Sequence, residues 1–123
     1  MWDFPNNERL AQVAAQIYEQ GGFVSAVCHG SAGLLNIKLA NGRSLLDGKT
    51  VTGFANLEEK LIRLVKAVPY LLEDELKNQG AIYKRGILPF IPHVEVSDRV
   101  ITGQNPQSAK AVAKALVESL SER

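Results

Sequence analysis

Apolar residues at Leu10, Val13, Ala14 and Ile17 recur at i, i+3, i+4 and i+7, which predicts an amphipathic helix over residues 7–20. Gly21-Gly22 stops it, because glycine is free to adopt the positive φ of a helix end. The pattern then changes. Residues 23–28 form a short, continuous apolar run, the signature of a strand covered on both faces of a parallel sheet. Residues 30–39 return to helical character, and Asn41-Gly42 makes a turn. Residues 50–54 read as a second strand, residues 57–66 and 71–79 as helices separated near Pro69, and residues 81–83 as a short strand. Residues 94–96 and 100–102 read as a hairpin around Ser97-Asp98-Arg99. Asn105-Pro106 opens the last helix, with Asn as N-cap and Pro as first helical residue. Its buried face is expected to be Ala109, Val112, Ala113, Leu116 and Leu120. Helices alternating with buried strands make the fold α/β.

Length and charge narrow the class. The 123 residues suit one compact domain. Fourteen basic and 13 acidic side chains leave a net charge of +1. That balance speaks against a nucleic-acid partner and against an anionic membrane surface. No run of about 18 apolar residues exists to span a bilayer. The single cysteine, Cys28, cannot form an intramolecular disulfide and suits a reducing, cytoplasmic setting.

That cysteine is also the centre of the chemistry. Ala26-Val27-Cys28-His29-Gly30 reads small-x-nucleophile-x-small at a strand-to-helix turn, the pattern of a nucleophile elbow. A thiol at a helix N-terminus is expected to favour its thiolate, through unpaired N–H groups and the helix dipole. The residue after such a nucleophile offers its N–H to an oxyanion, and the His29 ring can serve as a general base. Other signals fail. Residues 42–50 have five positions between the glycines where a phosphate-binding loop has four, and a strand follows rather than a helix. His93 lacks zinc-ligand spacing and is read as structural or pocket-lining, so no metal and no cofactor are expected. Glu73-Asp74-Glu75 reads as a solvated helix face.

The stretch from Ala26 to Gly33 resembles the elbow of the ThiJ/PfpI superfamily, relatives of class I glutamine amidotransferases. Residues 48–54, 69–76 and 101–109 agree in order and spacing, and together they are similar to the branch of heat-inducible chaperones and glutathione-independent glyoxalases. The resemblance implies a flavodoxin-like three-layer α/β fold with a mostly parallel sheet, of which residues 1–123 supply a single C-terminal part. It also implies a triad of Cys28, His29 and an acid in Asn56-Leu57-Glu58-Glu59, where the family spacing selects Glu59 over Glu58. Without the resemblance, both are ordinary acids of a helix first turn.

The implied activity is that of a glyoxalase III-like enzyme on small dicarbonyl substrates such as methylglyoxal. A stress-induced holdase chaperone is the alternative of another class, and a cysteine amidase, peptidase or deglycase shares the elbow. Family members carry, in a first half, a Gly-Gly-His-Gly loop and an acid that holds the thiol. Neither is found in this sequence. The chain is therefore expected to be inactive alone, and to form a homo-oligomer or a complex with an N-terminal half.

Overall fold

The computed structural model describes residues 1–122. Helix α1, Glu8–Glu19, starts where the Asn7 side chain accepts a hydrogen bond from the Leu10 N–H at 2.9 Å. It ends in a Schellman motif: Gly21, at φ 90°, donates to the Tyr18 carbonyl, and Gly22 donates to that of Ile17. Strand β1, Val24–Val27, then runs parallel to β5, Val100–Gly103, with Val24 opposite Val100 and Val27 opposite Gly103. Strand β4, Val94–Ser97, pairs antiparallel with β5 across a turn whose Asp98 takes φ 53°. The three-stranded order is β1-β5-β4. A second, two-stranded parallel sheet joins β2, Thr50–Val51, to β3, Ile82–Tyr83. Two bonds seat it against the first: the Thr50 N–H donates to Ser97 Oγ, and the Thr52 N–H to Thr102 Oγ1. Helices α2, Asn56–Leu61, and α3, Leu72–Asn78, follow β2, and α4, Ala109–Ser121, closes the chain. The α/β, flavodoxin-like reading stands, with one antiparallel pair in the sheet.

The core lies between these layers. Leu34, Leu45, Leu46, Val51, Leu72, Leu76 and Val100 are fully buried, each contributing about 1.5–3 kcal/mol through burial. A polar lock fixes the end of α1 against the hairpin. Tyr18 donates to the Asp98 carboxylate, and the Arg99 guanidinium lies 4.1 Å over the Tyr18 ring while donating to the Tyr18 and Gly22 carbonyls.

Several boundaries depart from the sequence pattern, each for a local reason. After Cys28 the chain forms a 3-10 turn, Cys28–Leu34, rather than a helix reaching residue 39. The β2 ladder stops after Val51, and a Cβ on Gly53 would sit 3.1–3.3 Å from Leu72, Leu76 and Ser31. Helix α2 ends at Leu61, not residue 66, because Arg63 at φ 61° forms a Schellman stop without glycine: Arg63 donates to Lys60, and Leu64 to Glu59. Asn105 is not a capping side chain.

Burial differs more consequentially. The strand buried throughout is β5, whereas β1 is an edge with Ser25 exposed. Helix α1 seats by Ala11, Ala14, Ala15 and Tyr18, leaving Leu10, Val13 and Ile17 open, Ile17 at 44%. Of the face expected on α4, only Val112 and Leu116 turn inward; Ala109, Ala113 and Leu120 are exposed. A groove of about 200 Å³ lines the free side of β1, between Phe4, Leu10, Ala26 and Gly30.

Gly103 lets α4 approach the sheet. An added Cβ would come 2.5 Å from Val112 Cγ2 and 2.9 Å from Val27 Cγ2. Gly103→Ala should therefore destabilise the fold by about 1–3 kcal/mol, as overpacking does. Calorimetry should show a melting temperature lower by several degrees; an unchanged melting temperature would mean that α4 is not packed as described.

Candidate active site

At the end of β1 the backbone turns sharply. Cys28 takes φ 59°, a left-handed value that a non-glycine residue adopts only where its surroundings impose it, and the 3-10 turn starts at the same residue. This is the elbow expected from Ala26-Val27-Cys28-His29-Gly30, with the thiol half-buried. The structure shows no steric demand for a small residue at position 30, unlike position 33 further along the turn. A Cβ on Gly33 would press on the Phe4 ring at 3.3 Å, whereas one on Gly30 would meet open space beside the free side of β1.

His29 follows directly, its Nδ1 lying 3.7 Å from Cys28 Sγ. On the ring's other side, Nε2 lies 2.8 Å from Glu59 Oε2. A carboxylate only accepts, so in the neutral ring Nε2 carries the proton and Nδ1 presents its lone pair toward the thiol. Phe54 covers the imidazole, with ring centroids 4.3 Å apart, and Phe90 meets Phe54 edge-on at 5.9 Å. The structure thus brings Cys28, His29 and Glu59 together in line. Glu59 is 1% exposed, and its role is distinct from that of Glu58, which faces other donors.

Electrostatics reverse one expectation. Burial pushes the Cys28 thiol above its ordinary value; the His29 backbone N–H pulls it down, and the Glu58 and Glu59 carboxylates push it up further. A seven-residue 3-10 turn gives little of the dipole a long helix would. The resting sulfur is therefore a neutral thiol, and a base beside it must take its proton. His29 Nδ1 is placed for that.

His93 instead pairs with Glu95, Nε2 to Oε2 at 2.7 Å, and among the described residues no group of three potential metal ligands exists. Phe54, Phe90 and Gln104 carry no signal of a site role in the sequence. Residues 101–109 were noted as a stretch, yet nothing in them signals that Gln104 and Asn105 reach back to α2.

Comparison with known proteins places the fold. The DJ-1/PfpI family model matches residues 2–119. The chain belongs to the DJ-1/PfpI family. Within it, the chain is 35% identical to the glutathione-independent glyoxalase HSP31 of Saccharomyces cerevisiae, over 98% of this chain and 53% of that protein. It is 32% identical to glyoxalase 3 of Candida albicans, over 95% of this chain and 52% of that one. Among solved DJ-1/PfpI folds, Rapid Encystment Protein 24 KDa of Francisella tularensis superposes with a TM-score of 0.93 at 44% identity, covering 97% of this chain and 52% of the other. Glyoxalase III of Candida albicans gives a TM-score of 0.89 at 33% identity, covering 95% and 51%. The chain spans about half the length of these relatives.

The thiol gives the first test of the site. Followed by the ultraviolet absorbance of its thiolate against a Cys28→Ser blank, Cys28 should titrate above the ordinary thiol value of about 8.5. A midpoint below that value would contradict the buried, carboxylate-flanked setting.

Proposed function

We propose that Cys28, His29 and Glu59 are the catalytic residues of a glutathione-independent glyoxalase that converts small dicarbonyls such as methylglyoxal into hydroxy acids. The observation that carries the reading is the His29 imidazole, held between the Glu59 carboxylate at 2.8 Å and the Cys28 thiol at 3.7 Å on a strained elbow. The glyoxalase names of relatives matched over nearly the whole chain support the substrate class.

The chemistry follows from the geometry. As Cys28 Sγ adds to the aldehyde carbon, His29 Nδ1 takes the thiol proton and passes it to the aldehyde oxygen, which gives a neutral hemithioacetal and leaves the imidazole free again. The His29 N–H of the backbone and the turn behind it offer hydrogen bonds to the developing oxyanion. His29 then removes the hydrogen from the former aldehyde carbon and returns a proton to the neighbouring ketone carbon, while the hemithioacetal hydroxyl proton passes to the former ketone oxygen. One carbon is oxidised and the other reduced, so no external electron carrier takes part and no cofactor is assigned. The resulting thioester is cleaved by water, which releases the hydroxy acid and restores the thiol. Glu59 stabilises the imidazolium that forms in each proton transfer.

The activity is assigned to an assembly rather than to the lone chain. The free side of β1, its adjoining groove and the open apolar faces of α1 and α4 favour cover by further polypeptide. A homo-oligomer or a complex with an N-terminal half supplies it. Near-neutral net charge gives no support to a nucleic-acid partner, and no described helix is long and apolar enough to cross a membrane. The lone free thiol fits a cytoplasmic setting.

A methylglyoxal-to-lactate assay, run with light scattering on the same sample, tests the proposal. Turnover should accompany species heavier than one 13.4 kDa chain. Cys28→Ala should reduce it to background, and Glu59→Gln by about 10⁴-fold, the scale seen when a triad histidine loses its orienting acid. Undiminished turnover by Cys28→Ala would overturn the nucleophile; a lone chain turning over faster than about 1 s⁻¹ would overturn the need for assembly.

A further inference from the structure

Glu58 is fully buried and takes no part in the proton path described above. Its two oxygens nonetheless accept four hydrogen bonds. Oε1 receives the Ala55 N–H at 3.0 Å and Gln104 Nε2 at 2.9 Å. Oε2 receives the Phe90 N–H and Asn105 Nδ2, both at 2.8 Å. Every lone pair of the carboxylate is engaged. The donors come from three places: the start of α2, the loop of residues 86–92, and the segment leaving β5.

The second tier extends the same clamp. Gln104 Oε1 accepts the Gly86 N–H at 2.8 Å, and Asn105 Nδ2 also donates to the Ile91 carbonyl at 2.9 Å. The loop of residues 86–92 is thus fixed at Gly86, Phe90 and Ile91 by side chains that converge on Glu58. What this loop carries matters to His29. The Phe90 ring backs Phe54, and Phe54 covers the imidazole. What α2 carries matters equally, because Glu59 is the next residue and its Oε2 holds His29 Nε2.

We propose that Glu58 is a positioning residue: by accepting four hydrogen bonds it fixes the first turn of α2 and the loop of residues 86–92, so that Glu59 and Phe54 hold His29 in one orientation and one tautomer. This rests on the Cys28–His29–Glu59 reading. Glu58 acts through Glu59 and Phe90 and touches no reacting atom.

The chemistry of an amide makes the proposal testable. Glu58→Gln keeps the shape but replaces one acceptor oxygen with an NH₂ group. Whichever way the amide turns, that group faces two donors, and two bonds are lost. Adding Gln104→Glu reverses most of the damage. The new amide donates to the new carboxylate, that carboxylate still accepts from Gly86, and the remaining oxygen at position 58 still accepts from Phe90 and Asn105. Only the Ala55 N–H goes unmet.

The readout is the pair of imidazole nitrogen resonances of His29 in the full chain, assigned against His93→Gln. The original sequence should show one protonated and one bare nitrogen at well-separated shifts. In Glu58→Gln the two should move toward an average, and in Glu58→Gln/Gln104→Glu they should return to the original positions. A loss of stability alone would not move them in molecules that remain folded. Unchanged shifts in Glu58→Gln would overturn the proposal, as would a folded double variant that fails to restore them. If Glu58→Gln alone does not fold, the double variant decides: original shifts support the clamp, and an unfolded or averaged double variant overturns it. Neither measurement uses turnover. Failure of the dicarbonyl chemistry and failure of the clamp are therefore separate results.

Discussion

Two adjacent carboxylates, Glu58 and Glu59, are buried side by side in the first turn of α2, and the organisation of the site follows from how their charge is met. A buried carboxylate is costly unless hydrogen-bonded or paired. Glu58 meets the demand with neutral donors from three segments, which ties together parts of the chain up to 47 residues apart. Glu59 meets it through Oε2 alone, with the His29 imidazole, while its buried Oε1 has no hydrogen-bond partner among the described residues. The same requirement that organises the backbone therefore also orients the ring that faces Cys28. The cost falls on the thiol, which burial and these two charges hold in its neutral form. A neutral thiol beside an oriented base is a consistent arrangement, since the proton leaves only when the sulfur attacks.

Local features of the fold were legible in the sequence. The Gly21 helix stop, the hairpin about Asp98 and the elbow at Cys28 each depend on a few neighbouring residues, and each stands in the structure. The stop at Arg63 was hidden, because a left-handed arginine looks like any other arginine in sequence. The faces of α1 and α4 were misjudged for another reason. A periodic apolar stripe reports that a surface is apolar, not which element covers it, and here Ala11, Ala14 and Ala15 do the seating while Leu10 and Ile17 stay open. Of the site, Cys28 and His29 could be read from their spacing, and Glu59 only through the family resemblance. Gln104 and Asn105 act on Glu58 across 46 and 47 residues, a distance at which no local pattern carries information.

The open faces and the site are connected. The elbow lies at the end of β1, and β1 is the edge of its sheet. Gly30 lines the groove on that free side, where a side chain would meet nothing among the described residues. Polypeptide laid along β1 would pass close to the Cys28 turn and would exclude water from it, which strengthens every electrostatic interaction of the site. Assembly and catalysis are in this account one event.

The central claim is that Cys28 and His29 act as one unit on a dicarbonyl. Its most direct test is a double-mutant cycle in the methylglyoxal-to-lactate reaction of the assembled protein, comparing Cys28→Ala, His29→Ala and the two combined. Because neither residue can perform its step without the other, the double variant should lose little more activity than either single one. Losses that multiply would show that His29 works outside the path through Cys28, and would contradict the account.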